Sequence, residues 1–332
     1  MSHQDPMHRK HDAQRRRVLQ ATARLGCLGQ FGGLAATPLL MGSTPRAFAA
    51  EPTRDAMRDV TRDTARDAAT EPRIVSIHGS LTEVFYLLEA QHMLVGTDTT
   101  STHPAAANRT PKVGYLRQLS AEGLLSLKPN AVLGTDEAGP PAVLAQLRQA
   151  GVPLRLVNVK HRFEDLIEKV RLVGEATRRQ AAAQALSADL NKRWQATQQK
   201  VARRDGASAN HAGQAPSVLF IMAHGPAPML AGSGTGAHAM LTYAGARNAM
   251  AEVQGWRALN AESAVQARPD WIVTTQESVA ALGGLRQFWA LPGLEMTPAG
   301  RRQRVLSFDT MALLGFGPRM PDALEELRQG LA

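Results

Sequence analysis

Two glutamates stand in matching surroundings 140 residues apart. Glu122 ends the run Gly114-Tyr115-Leu116-Arg117-Gln118-Leu119-Ser120-Ala121-Glu122, and Glu262 ends Gly255-Trp256-Arg257-Ala258-Leu259-Asn260-Ala261-Glu262. A carboxylate in the first turn of a helix is favoured by the helix dipole, so each glutamate alone reads as helix-terminal electrostatics. Placed alike on two lobes, the two also form a pair of exposed carboxylates offered symmetrically to one partner. The other reactive groups are few. Of the three tyrosines, Tyr86 and Tyr243 fall in helices as packing residues, and Tyr115 by itself reads as a turn tyrosine with a buried ring. His224, in Met222-Ala223-His224-Gly225, ends an apolar run where β/α proteins place ligand groups. A lone histidine there either bonds to backbone or binds a ligand.

The elements that must position these groups repeat with them. Ser120 and Asn260 are good helix N-caps, and Pro129 and Pro269 stop the short helices that follow. Next come the buried-strand runs Ala131-Val132-Leu133 and Trp271-Ile272-Val273. A cap, an acid, a stop and a strand recurring in one order predict two similar lobes, with function between them.

The rest of the chain fits that plan. Ile74–Ile77, Val95–Asp98, Ala131–Gly134 and Leu154–Val157 read as strands, His78-Gly79-Ser80 as a turn, and Thr82–Leu88 and Ala142–Ala150 as helices. The alternation implies a parallel sheet with covered faces. Phe163 to Ala202 reads as helix with one weak point at Gly174, and its second part keeps Leu186, Leu190, Trp194 and Val201 on one face. From Arg178 it spans roughly 38 Å at 1.5 Å per residue, enough to bridge two lobes. Strands resume at Val218–Ile221, Trp271–Val273 and Val305–Phe308. The expected fold class is α/β, with a β/α lobe at 73–160, bridging helices at 161–204 and a second β/α lobe at 205–332.

The 332 residues are 44% hydrophobic, enough for two cores. The formal charge of +9 is misleading, because residues 1–49 carry seven Lys or Arg against two acids. With no basic stripe interleaved with aromatics, nucleic acid is not an expected partner. That segment reads as an export signal: Arg15-Arg16-Arg17-Val18-Leu19-Gln20 resembles a twin-arginine motif, a weakly apolar stretch follows, and Ala47-Phe48-Ala49 offers a cleavage site. The only cysteine, Cys27, lies within it, so the mature chain from Ala50 would have no disulfide and no thiolate ligand. No run of 18 apolar residues follows, and a soluble product is expected. Residues 50–72 hold an Arg-Asp repeat every four residues, from Arg54-Asp55 to Arg66-Asp67, without an apolar stripe; they read as a flexible linker.

Several segments carry a resemblance to a known family. Pro111 to Pro129, Glu137-Ala138-Gly139-Pro140-Pro141, Met222-Ala223-His224-Gly225 and Leu314-Gly315-Phe316-Gly317-Pro318-Arg319 resemble the periplasmic haemin-binding proteins of bacterial haem-uptake ABC transporters. That family belongs to the helical-backbone class of substrate-binding proteins, related to siderophore and cobalamin binders. The resemblance covers about residues 73–332. It implies that Tyr115 is the axial ligand of ferric haem b carried as cargo, since hard Fe³⁺ favours a phenolate. It further implies that His224 is a second ligand or pocket residue. Arg257 and Arg286 would contact the propionates or the phenolate, because the guanidinium fork suits carboxylates. His78, Met229 and the Asp136–Pro141 loop, read at other strand ends, would line the cleft. Glu122 and Glu262 would dock into a permease dimer served by cytoplasmic ATPase subunits, giving transient contact with the inner-membrane surface. The carrier would be a periplasmic monomer and not an enzyme.

Two other readings remain open at this level. A ferric siderophore or a corrinoid could be the cargo of the same machine. An exported cofactor-containing redox enzyme is the rival of another class. Against it, Gly232-Ser233-Gly234-Thr235-Gly236 lacks the dinucleotide spacing, and neither a zinc H-E-x-x-H nor a G-x-S-x-G elbow occurs.

Overall fold

A pair of long helices joins two β/α lobes in this computed structural model, which describes residues 71–208, 215–223 and 227–332, with backbone only over 202–208. The expected export signal, nearly all of the linker and His224 lie outside the described residues.

The first lobe runs β1 (Ile74–Ser76), α1 (Gly79–Leu87), β2 (Leu94–Thr97), β3 (Gly114–Tyr115), β4 (Gln118–Leu119), α2 (Ala121–Ser126), β5 (Ala131–Thr135), α3 (Pro141–Gln149) and β6 (Leu154–Val157). Its main sheet has the order β2-β1-β5-β6, and every pair is parallel. β1 is buried along its whole length, as a parallel strand covered on both faces must be. β3 and β4 stand apart as a two-stranded antiparallel hairpin. Helix α1 begins earlier than its apolar pattern suggests. Gly79 and Ser80 form its first turn, because the His78 side chain caps it by accepting the Ser80 N–H.

The joint is α4 (Phe163–Ala176) and α5 (Gln180–Ser208). The break comes at Thr177–Arg179, with Arg178 left-handed at φ 58°. Gly174 is not the break but a point of close approach: a Cβ there would lie 2.4 Å from that of Ala183 on α5. Phe163 stacks on Trp194 of α5, ring centroids 4.8 Å apart.

The second lobe runs β7 (Ser217–Met222), β8 (Met229–Ala231), α6 (Gly236–Tyr243), β9 (Arg247–Asn248), β10 (Trp256–Ala258), α7 (Ala261–Ala267), β11 (Trp271–Thr275), α8 (Gln276–Ala281), α9 (Leu285–Trp289), α10 (Pro298–Arg301), β12 (Val305–Phe308), α11 (Thr310–Leu314) and α12 (Met320–Gly330). Its sheet has the order β10-β8-β7-β11-β12, with β9 also on β7. β7, β11 and β12 are parallel, while β8 and β10 add an antiparallel edge that the sequence pattern does not announce.

One apolar core passes through the joint. It unites Ile74, Leu81 and Phe85 of the first lobe with Leu166 and Val170 of α4 and Val218, Phe220 and Leu324 of the second. Each such fully buried side chain contributes about 1.5–3 kcal/mol. Polar ties reinforce it. The fully buried Lys169 of α4 donates to the carbonyls of Gly315 and Phe316 at 2.8 and 3.1 Å. Arg319 grips Glu83 of α1 with Nε and Nη2, the shortest contact being 2.7 Å. Burial pushes the Lys169 ammonium down to about 8. These contacts favour a joint that moves little.

Candidate functional site

Tyr115 sits on β3, facing Gln118 of β4 across a turn made by Leu116 and Arg117. Gly114 before it has φ 100°, a left-handed conformation that favours glycine. The ring is half-buried against the apolar cluster containing Val113, Leu116, Leu119 and Val132. The hairpin is anchored by backbone bonds on two sides. Thr99 N–H reaches Gly114 O at 2.9 Å; Gly139 N–H reaches Leu116 O at 2.8 Å; Leu119 N–H reaches Gly139 O at 3.0 Å.

Charge accompanies those bonds. Arg117, on the turn, pairs with Glu137 in the loop after β5, and the other Glu137 oxygen stands 3.7 Å from His78 Nε2. The His78 ring and then Arg117 hold the Glu137 carboxyl down to about 2. His78 is 5% exposed, and burial lowers its pKa, so it is neutral at physiological pH. Its Nδ1 accepts from Ser80, which leaves the proton on Nε2, towards Glu137. His78 is thus near the Tyr115 hairpin but committed to capping and to Glu137.

The second lobe separates its candidates. Trp256, Arg257 and Ala258 lie opposite Ala231, Leu230 and Met229. Side chains alternate along a strand, so Met229 and Trp256 share one face and Arg257 lies on the other. Trp256 is 36% exposed and meets Phe220 edge-on at 6.1 Å. Arg257 and Arg286 are both exposed, Arg286 on α9.

Glu122 and Glu262 are exposed in the first turns of α2 and α7. Ser120 Oγ accepts from Gly123 N–H at 3.3 Å, and Asn260 Oδ1 from Ser263 N–H at 2.8 Å. Glu262 also accepts from Gln266 at 3.0 Å. The equivalence runs beyond the motif. Leu124 and Ala264 are the buried contacts of these helices, Lys128 and Arg268 are left-handed just before the prolines, and β5 and β11 have the same length.

In the sequence Glu137 stands out only as part of the Asp136–Pro141 loop, and Arg117 and His161 do not stand out. At the constant offset Arg117 answers to Arg257 and Glu137 to Glu277, a signal available in the sequence. His161 has no motif. It follows β6 with φ 55°, its ring 5.4 Å from that of Phe316 across the joint. Its Nδ1 is buried without a hydrogen-bond partner among the described residues, and burial lowers its pKa. A Cβ on Gly236 would come within 3.4 Å of that nitrogen, so the glycine lets α6 approach.

The match to known proteins covers this same architecture. The periplasmic binding protein model aligns with residues 74–311. The periplasmic haem-binding protein BhuT, solved with two haems, is 42% identical, with a TM-score of 0.71 over 78% of this chain and 97% of its own. An uncharacterised ABC transporter substrate-binding lipoprotein of Bacillus subtilis is 28% identical over 79% of this chain and 80% of its own. A cobalamin-binding protein of Halobacterium salinarum is also 28% identical, over 74% and 69%. With the first lobe, the helical joint and every strand of the second lobe inside the aligned span, the chain belongs to the periplasmic binding protein family.

Proposed function

We propose that this chain is an exported, monomeric carrier that binds ferric haem between its lobes and delivers it to an inner-membrane ABC importer, without catalysis. The observation that carries the reading is Tyr115, held on an anchored hairpin in a chain 42% identical to a protein solved with haem. A phenol ordinarily ionises near pH 10, and a hard ferric ion favours the deprotonated oxygen, so ligation itself would remove the proton. Exposed Arg257 and Arg286 have the planar fork that suits propionates. His224, two residues beyond β7 in sequence, is the candidate for a second ligand or pocket residue, and Met229 with Trp256 would supply apolar lining. Glu122 and Glu262, one on each lobe, would meet cationic sites of a permease pair, guiding orientation more than affinity.

The test is a haemin titration of the mature protein followed by visible spectroscopy. The expected result is a high-spin, tyrosinate-type ferric spectrum that is lost or replaced in Tyr115→Phe. A wild type without spectral change would sink the haem reading; an unchanged Tyr115→Phe would sink only the ligand assignment. The cobalamin-binding relative supports a second reading, a corrinoid cargo. Cobalamin binding by the same protein at concentrations where haemin does not bind would favour it.

A further inference from the structure

We propose that Glu137 is the positioning residue of the Tyr115 hairpin, fixing through Arg117 the turn that presents the phenol. The consequence for cargo rests on the haem reading above; the anchoring itself does not.

A two-stranded hairpin with two residues per strand has little stability of its own. What holds it must come from outside, and the loop after β5 supplies this twice. Gly139 exchanges two backbone hydrogen bonds with the hairpin, to Leu116 O and from Leu119 N–H. Two residues earlier, the Glu137 carboxylate takes the Arg117 guanidinium from the turn between the strands. Glu137 is itself braced, because its second oxygen faces the protonated Nε2 of neutral His78. His78 is fixed in turn by its Nδ1 bonds to Ser80 and by its backbone N–H on Asp98 Oδ1 at 3.0 Å. The chain of contacts therefore runs from the rigid start of α1, through one carboxylate, to the turn beside Tyr115.

The other lobe shows that this use is particular to the hairpin. Glu277 occupies the equivalent place after β11, yet it accepts the Thr310 N–H and hydroxyl, at 3.1 and 2.5 Å, and so secures the start of α11. Among the described residues no ion pair joins it to Arg257. The same pair of residue types is closed where a tyrosine hairpin needs holding and open where the strand is already stitched to β8. A hairpin populated only part of the time would weaken apparent cargo affinity by that fraction.

The experiment is amide hydrogen exchange on the apo protein over residues 113–119, comparing wild type, Glu137→Gln, Arg117→Met and the double variant. Each single variant should raise exchange in that segment about tenfold, the size expected when a hydrogen bond between charged groups is lost. The double variant should add little more, since both act through one contact. Exchange in α5 should stay at the wild-type rate. Wild-type exchange in Glu137→Gln, or additive effects in the double variant, would overturn the proposal. Arg117 is largely exposed, so its variant keeps the test valid should Glu137→Gln fold poorly. In a second arm, haemin transfer from each holo-protein to an excess of a scavenger globin should quicken by the same factor. A wild type that takes up no haemin would overturn the cargo reading, while the exchange data still judge the anchor.

Discussion

Residues 120–135 and 260–275 are the same structure made twice: a side-chain cap, an acid in the first turn, one buried contact, a left-handed residue, a proline and a five-residue strand. Residues 114–119 and 255–259, which lead into them, are not. In the first lobe the lead is a hairpin outside the main sheet, carrying Tyr115; in the second it is β10, built into the sheet through β8 and carrying Trp256 and Arg257. The shared part packs on its own lobe's core, and that burial keeps both copies to one solution. The leads are held differently, the first by burying Leu116 and Leu119 in its lobe's core and the second by pairing with β8, and there the copies take different residues. A carrier with a symmetric partner and an asymmetric cargo needs that division.

The sharpest way to break this comparison is at its most divergent residue. If Tyr115 holds the iron as proposed, Tyr115→Phe should lower haem affinity at least about 100-fold, about 2.7 kcal/mol. Trp256→Phe, at the matching strand of the other lobe, should stay within about threefold. Fluorescence-quenching titrations of both variants check this. Equal losses would mean that both leads serve the cargo alike.

Next in size is the Glu137 carboxylate. Its folded pKa is about 2 against an ordinary 4.5, so the stability it contributes is present above pH 4.5 and is lost as the pH falls towards 2. Allowing for its exposed Arg117 partner, the contribution is about 2 kcal/mol. Denaturant unfolding between pH 2 and 5 should therefore be less pH-dependent in Glu137→Gln than in wild type. Parallel curves would show that the carboxylate is not held as the contacts imply.

Much of this architecture was legible because periodicity and punctuation are local. The caps Ser120 and Asn260, the stops Pro129 and Pro269 and the parallel strands announce themselves within a dozen residues. The antiparallel edge β8–β10 did not, since Met229–Ala231 and Trp256–Ala258 are three residues each and pair across a long separation. The weak point expected at Gly174 falls instead at Thr177–Arg179, because helical pattern continues on both sides of a single left-handed residue. At the candidate site, Tyr115 was visible only through a family resemblance; its own spacing describes a turn. Glu137 and His161 depend on contacts across the fold, with Arg117, His78 and Phe316, which no window of sequence contains.

The shared part can be tested against itself. Ser120→Ala and Asn260→Ala should each cost about 1 kcal/mol, the usual loss for a side-chain cap. Asn260 should cost the more of the two, because its bond to the Ser263 N–H is 2.8 Å against 3.3 Å for Ser120 and Gly123. Chemical denaturation resolves a difference of this size if both variants share the wild-type slope. A large loss at one cap and none at the other would mean that the two helices are alike in sequence but not in what holds them.

The smallest effect expected on the isolated protein is at the two glutamates. Glu122 and Glu262 are exposed, and a carboxylate in a first helical turn contributes only about 0.3–1 kcal/mol. Glu122→Lys and Glu262→Lys should thus leave haem affinity unchanged and stability within about 1 kcal/mol of wild type. Transport is where they should register. If each lobe presents its acid to one permease subunit, either reversal should slow haem uptake in vesicles containing the importer, and the double reversal should slow it further. The loss should shrink as salt is raised, since exposed charges are screened within about 8 Å at physiological ionic strength. Because Glu262 is also held by Gln266, it is the better ordered acid, and its reversal should cost the more uptake. Unimpaired uptake by the double variant would leave the repeated acids with their helix-terminal role alone. The likeness of the two lobes would then follow from duplication of a stable unit rather than from the symmetry of a partner.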